Sequence, residues 1–231
     1  MSRTVTWTNG LARIRELADI EGTSGVAYMS DAKLLAYANA SRGVWHGMVC
    51  QADPERYATS GDITATGAAS YSLPADYFAT LFVEEVDGTN RRELSRLMPH
   101  ERNKFGNAAG DGQGYWVFGG TIRLVPIPAS GTYRHWYVTH AEEFATGSDT
   151  VDGVNGWEEW IWLDVAIKVL LRQRSDIGQL VAARDGIARE ILAAAADRVK
   201  GDPSHVVEVA GNPLTATSFS RLRDPDFWSG R

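Results

Sequence analysis

The sequence predicts an α+β fold: a helical bundle core formed by N- and C-terminal helices, an inserted antiparallel β-rich lobe, and an extended C-terminal arm. Three observations carry this. Apolar residues recur at helical spacing at both ends of the chain, alternation of period two takes over between them, and residues 201–231 are polar and punctuated by Pro203, Pro213 and Pro225. The boundaries that follow are 1–55 and 150–200 for the helical core, 56–149 for the lobe and 201–231 for the arm.

Asn9 is placed to cap a short helix through Leu11, Ile14, Arg15 and Leu17, ending near Gly22. Ser30 caps a longer helix in which Leu34, Tyr37, Ala38, Ser41, Trp45, Met48 and Val49 share one face, and Pro54 closes it. Candidate strands are Asp62–Thr66, Leu81–Val86, Tyr115–Phe118, Thr121–Val125 and Tyr133–Thr139. Asp87-Gly88, Gly119-Gly120 and Ser130-Gly131 read as tight turns, residues 99–105 as a short helix, and residues 106–114 as a glycine-rich loop. Asn155 then caps a helix from Trp157 to Arg174 that is apolar nearly all round, which implies protein on most of its sides. Ser175 or Asp176 restarts a one-faced helix, with Ile177, Leu180, Val181, Ala188, Ile191, Leu192, Ala195 and Val199 on one arc, running to about Lys200. The arm carries too little apolar surface to fold alone.

The 231 residues carry 23 Lys+Arg against 29 Asp+Glu, a net charge of −6, and are 44% hydrophobic. A chain of this size buries roughly 70% of its unfolded surface, enough for a core without staples. Mild acidity argues against a protein whose main task is coating nucleic acid, which needs a concentrated basic surface. Cys50 is the only cysteine, so no intramolecular disulfide forms, in keeping with a reducing cytoplasm. No signal-like apolar run opens the chain, and Asp164 and Lys168 interrupt its longest apolar stretch, so no membrane span is expected.

A search for chemistry finds little. The five histidines (His46, His100, His135, His140 and His205) form no zinc spacing, and His135 and His140 point to opposite sides of an extended strand. Glu84-Glu85, Glu142-Glu143 and Glu158-Glu159 invite a glycosidase reading, but adjacent residues diverge, so solvated faces are expected. Cys50 has His46 at i−4 without an oxyanion hole or orienting group, which points to a buried structural thiol. The glycines of 106–114 lead into a strand rather than a helix, so they do not form a phosphate loop. Asp149 to Gly156 has Val151 where a calcium ligand belongs, and reads as a turn and helix cap. No metal or cofactor is expected.

Two features are left. Arg91, Arg92, Arg96, Arg102 and Lys104 outnumber Glu93 and Glu101 by three charges, a basic strip that is either solvated or turned toward DNA or an acidic neighbour. Trp116, Phe118, Tyr133, Trp136 and Tyr137 cluster on predicted strands, where aromatics most often form core. Glycan hydrolysis by separated carboxylates, or glycan binding on an exposed aromatic strip, stands as the alternative function.

The order of the pieces carries more than any one of them. Ser30-Asp-Ala-Lys-Leu-Leu-Ala-Tyr-Ala-Asn is followed by Tyr71-Ser-Leu-Pro-Ala-Asp-Tyr-Phe, then Gly119-Gly-Thr-Ile-Arg-Leu-Val-Pro-Ile-Pro and Tyr133-Arg-His-Trp-Tyr-Val. Trp157-Glu-Glu-Trp-Ile, Asp164-Val-Ala-Ile-Lys-Val-Leu-Leu, Ser175-Asp176 and Ala196-Asp197-Arg198 complete the set. Over most of residues 28–209 the chain resembles the head-to-tail adaptor (connector) proteins of tailed bacteriophages. The resemblance implies a structural protein without catalytic residues. It implies a ring of identical subunits, commonly a dodecamer, beneath the portal protein at the virion neck. Such a ring is assembled in the host cytoplasm, extends the DNA channel and docks the next tail or stopper component. Ring contacts are heterologous, one pair of patches repeated around a closing rotation. In that setting the arm suits folding on a partner, with Phe219, Phe227 and Trp228 as aromatic anchors and Arg221 and Arg223 pairing with acidic groups. DNA contact would be non-specific, through phosphates alone.

Overall fold

A computed structural model describes residues 3–98 and 114–201. It is an α+β fold with its helices toward the two chain ends and its sheets largely between them. The chain divides into two compact units, one of Met1–Thr59, Asp76–Leu81 and Tyr137–Val199, the other including Ser60–Ala75 and Phe82–Trp136.

The first unit holds the helices. Strand β1 (Thr4–Thr6) pairs antiparallel with β10 (Thr150–Asp152), so the start of the chain is stitched to a segment beyond the lobe. Helix α1 (Trp7–Leu17) is capped by the Thr6 side chain, which accepts from the Asn9 N–H; the cap sits three residues earlier than expected because β1 delivers Thr6 in an extended conformation. A short helix α2 (Gly22–Tyr28), not anticipated, lies between α1 and α3. Helix α3 (Asp31–Ala52) starts after Ser30 as expected, although the Ser30 side chain makes no cap hydrogen bond, and it buries Leu34, Ala38, Ser41, Trp45 and Val49, with Tyr37 and Met48 half-buried. A 3₁₀ turn at Pro54–Tyr57 follows it.

Helix α4 (Glu159–Gln173) is the centre of this unit. Every residue from Trp160 to Ile167 is buried, as an all-round apolar helix requires. It packs against α3 and α1. Gly10 makes the α1 contact possible: a Cβ there would stand 2.6 Å from Cζ3 of Trp162. Asn155 does not cap α4; it adopts a left-handed conformation (φ 52°) in a 3₁₀ turn, and α4 begins four residues later. Helix α5 (Gly178–Gly201) starts after Asp176, whose Oδ1 accepts from the Gly178 N–H at 2.9 Å. Its inner arc follows the expected one through Ile177, Leu180, Ala188 and Ile191, with Leu192 the exception, and the side chains of Ala195 and Val199 lie outside the described residues. Ile191 is fully buried with Ile187 and Ala188 half-buried, whereas Leu192 faces out, as does Leu171 of α4.

The chain forms two further sheets, each four-stranded, whose strands supply most of the second unit. One has the order β2 (Ala58–Thr64), β9 (Thr132–Thr139), β4 (Tyr77–Asp87), β5 (Asn90–Glu93); the other runs β3 (Tyr71–Ser72), β8 (Thr121–Val125), β7 (Gly114–Phe118), β6 (Ser95–Arg96). Val83, Leu94, Tyr115, Ile122, Leu124 and Tyr133 form its core. Asp87 pairs with Asn90 across the Gly88 turn, and Gly119 and Gly120, at φ 57° and 78°, close the β7–β8 hairpin as a mirror-image turn that side chains disfavour. The lobe is not wholly antiparallel: β6 and β7 pair in parallel through Ser95 with Gly114 and Arg96 with Tyr115. That pairing joins the two ends of the 99–113 segment, and its register cannot be read from local alternation. The short helix expected at 99–105 and most of the 106–114 loop lie outside the described residues.

Candidate interaction surfaces

The basic strip is largely neutralised where it is described. The β4–β5 register sets Glu85 opposite Arg92 and Val86 opposite Arg91. Arg92 Nε donates to Glu85 Oε2 at 2.9 Å, and Arg91 Nη1 donates to the carbonyls of Gly88 and Asn90, with its Nε 3.9 Å from Glu84 Oε1. Arg96 is exposed and has no ion-pair partner among the described residues. Arg102 and Lys104, and the arm residues Phe219, Arg221, Arg223, Phe227 and Trp228, lie outside the described residues. The hairpin therefore gathers Arg91 and Arg92 onto carboxylates rather than into a bare cationic patch.

The same sheet carries a second surface. Side chains alternate across β4 and β9, so Val83 and Tyr133 enter the core while Phe82, Glu84, Arg134 and Trp136 stand on the opposite face. Phe82 and Trp136 stack with ring centroids 5.7 Å apart and planes 21° from parallel, both half-buried. Trp136 Nε1 donates to Glu84 Oε1 at 3.0 Å. Beside them Arg134 grips Asp62 with two hydrogen bonds, 2.7 and 3.1 Å, and those bonds hold the Asp62 carboxyl below the usual carboxylate range. Sequence reading had not singled out Phe82, Asp62 or Arg134. The signal was available in the polar–apolar alternation of β4 and β9, which assigns each residue to a face.

Of the aromatics expected to form core, Trp116, Tyr133 and Tyr137 are buried, Trp136 is half-buried, and Phe118 is exposed at the β7–β8 turn. Three of the five are therefore packed inside, as aromatics on strands most often are.

The remaining candidates for chemistry resolve into structure. Cys50 Sγ lies 3.3 Å from His46 Nε2, and burial pushes the thiol up to about 12, so it stays protonated. The same Nε2 is 2.8 Å from the Thr139 carbonyl, which can only accept, so this nitrogen carries hydrogen and cannot serve as a base toward sulfur. Glu84 and Glu85 diverge to opposite faces of the sheet, the latter reaching Tyr133 and Arg92. Glu142 and Glu143 are exposed as expected, but Glu158 is not. It is 3% exposed and paired with Arg3 at 2.9 Å, while Glu159 accepts from Arg13 at 2.8 Å. Asp149 is a turn residue: its carboxylate accepts from the N–H groups of Ala145 and Thr146 and the hydroxyl of Thr146, which hold it down to about 2. Among the described residues no cluster of three or more His, Cys, Asp or Glu is placed to hold a metal, and no helix is long and apolar enough to cross a membrane.

What the geometry offers among the described residues is a set of internally paired side chains rather than a reactive centre. The family model described as "SU10 adaptor protein" matches residues 6–209. The chain belongs to that family of phage head-to-tail adaptors. No curated protein matches it. The match takes in every element of the adaptor from α1 to α5. Membership implies a structural rather than enzymatic role, with portal and tail components of a phage as partners.

Proposed function

We propose that this adaptor forms a ring, commonly a dodecamer in such proteins, beneath the portal at the virion neck, extending the DNA channel and presenting the surface on which the next tail or stopper component docks. The observation that carries this is the family match over residues 6–209. In this reading the helices from the two chain ends form one bundle core, 1–55 with 150–200. Residues 56–149 are the inserted lobe and 201–231 the arm. A passive joint needs surfaces that fit partners without reacting, and intrachain ion pairs such as Arg92–Glu85 and Arg134–Asp62 leave those charges satisfied within the subunit. Phe219, Phe227 and Trp228 are the arm's anchors, and Arg221 and Arg223 its charged contacts. The basic residues Arg91, Arg92, Arg96, Arg102 and Lys104 are the contacts for DNA phosphates or an acidic neighbour in this reading.

Deleting residues 211–231 is the direct test. Native mass spectrometry of the shortened adaptor mixed with portal should show weakened ring or portal association, with the far-UV circular dichroism of the folded chain retained. Assembly equal to that of the full chain rejects the role given to the arm.

A further inference from the structure

We propose that the half-exposed part of the outer face of the β2–β9–β4–β5 sheet, around Phe82, Glu84, Arg134 and Trp136, is the docking surface for the C-terminal arm of a second copy of this chain, with the Phe82–Trp136 pair receiving the aromatic anchors of residues 219–228. The inference rests on the reading of the arm as a partner-binding element and adds the surface that receives it.

The face has the anatomy of a protein contact: a stacked aromatic centre inside a charged rim. Because the Trp136 N–H is already taken by Glu84, what the ring still offers is apolar. The rim is Asp62 with Arg134 and Glu84 near Arg91, and Glu93 stands on the same face through its register with Glu84. Three carboxylates against two guanidinium groups leave a slight negative excess, which disfavours a phosphate backbone. The surface suits a nearly neutral peptide with apolar anchors and a few cations.

The chain carries such a peptide. Residues 219–228 read Phe-Ser-Arg-Leu-Arg-Asp-Pro-Asp-Phe-Trp, with two arginines balanced by two aspartates among four large apolar side chains. In an extended strand Phe219, Arg221 and Arg223 fall on one side. That side would bring a ring to Phe82 and Trp136 and donors to Glu84 and Glu93. Helix α5 ends at Gly201, and the eighteen residues from there to Phe219 span up to roughly 60 Å when extended. A domain of this size has a radius of gyration of only about 17 Å, so the arm reaches a neighbouring molecule. One arm and one receiving face per chain make a heterologous pair, the type of contact that closes into a ring.

Disulfide trapping in the full-length chain tests this. Val86→Cys sits on the receiving face and Ser220→Cys in the arm, while the buried native Cys50 stays protonated and does not compete. Mixing the two single variants under mild oxidation should give a covalent heterodimer, identified by mass. Its yield should fall at least fivefold when Phe82→Ser or Trp136→Ala is added to the Val86→Cys chain, with each variant keeping its melting transition. A double variant that cross-links only within itself means the arm folds back on its own chain and overturns the proposal, as does a heterodimer that ignores both aromatic substitutions, or none at all. If cross-linking fails while the 211–231 deletion still weakens portal assembly, the receiving surface is wrong and the arm's role stands. A deletion without effect on assembly removes the arm reading itself.

Discussion

At the scale of single residues, the buried charges matter most. Asp164 is 8% exposed and accepts from Lys168 Nζ at 2.8 Å, Ser41 Oγ at 2.9 Å and Arg184 Nη1 at 3.1 Å, so one carboxylate ties together α3, α4 and α5. Burial by itself would raise its pKa, but the bonds from Lys168 and Ser41, the Lys168 charge and the Arg184 bond outweigh that and hold it below the usual carboxylate range. Stability from a depressed carboxylate is present above its unfolded pKa and is lost as pH falls through the folded one. Asp164→Ala should therefore cost about 2 kcal/mol at neutral pH, less than a fully buried pair because Lys168 and Arg184 reach solvent, and should flatten the acid limb of the stability curve. Urea titrations at pH 7 and pH 3 check both. His135 adds to the same acid sensitivity from a higher pH. Burial lowers it to about 4 from an ordinary 6.5, so the unfolded chain takes up the proton first and stability drops as pH falls from 6.5 toward 4. A His135→Phe variant that folds should lose that part of the pH dependence of the melting temperature; an unchanged profile would place the titration elsewhere. Asp164 and Lys168 were visible in sequence as charges inside an apolar run at i, i+4. Glu158 was not, because its countercharge, Arg3, comes from the far end of the chain through the β1–β10 pairing.

At the scale of elements, what could be read depended on whether the cause was local. The β8 strand and the stop of α3 before Pro54 follow from spacing and a missing N–H, both contained in a few residues. The β6–β7 parallel pair and the outward turn of Leu192 on α5 depend on distant partners, and both differ from expectation. The α1–α4 crossing belongs to this second class. Gly10 has no conformational reason to be glycine within its helix; it is there because the ring of Trp162 lies flat against its Cα. Gly10→Ala improves intrinsic helix propensity by about 1 kcal/mol. It also drives a methyl group into an indole that is 2% exposed and cannot swing away, at an overpacking cost of about 1–3 kcal/mol. The net effect should be destabilising by about 1 kcal/mol, read as a lower urea midpoint with unchanged m-value. Stabilisation would mean that Trp162 yields, and that the close helix approach is not what holds α1 in place.

At the scale of the whole molecule, a net charge of −6 and a basic strip that is half spent on its own carboxylates bear on the proposed passage of DNA. A channel lining must let a polyanion slide, which favours few and weak phosphate contacts. Each phosphate neutralised steepens the salt dependence of binding by about 0.9 in log–log slope, so the slope counts the cations that meet DNA. Arg92 is already held by Glu85, and Arg96 has no such partner among the described residues. Fluorescence anisotropy with a random duplex across a salt series should give weak binding with a slope shallower than about −3 and no sequence preference. Arg96→Ala should reduce that slope by about 0.9, whereas Arg92→Ala should leave it unchanged while loosening the β4–β5 hairpin. A steep slope, or equal losses from the two substitutions, would show that DNA pulls Arg92 away from Glu85. The strip would then be a grip on the nucleic acid rather than the low-friction wall a conduit calls for.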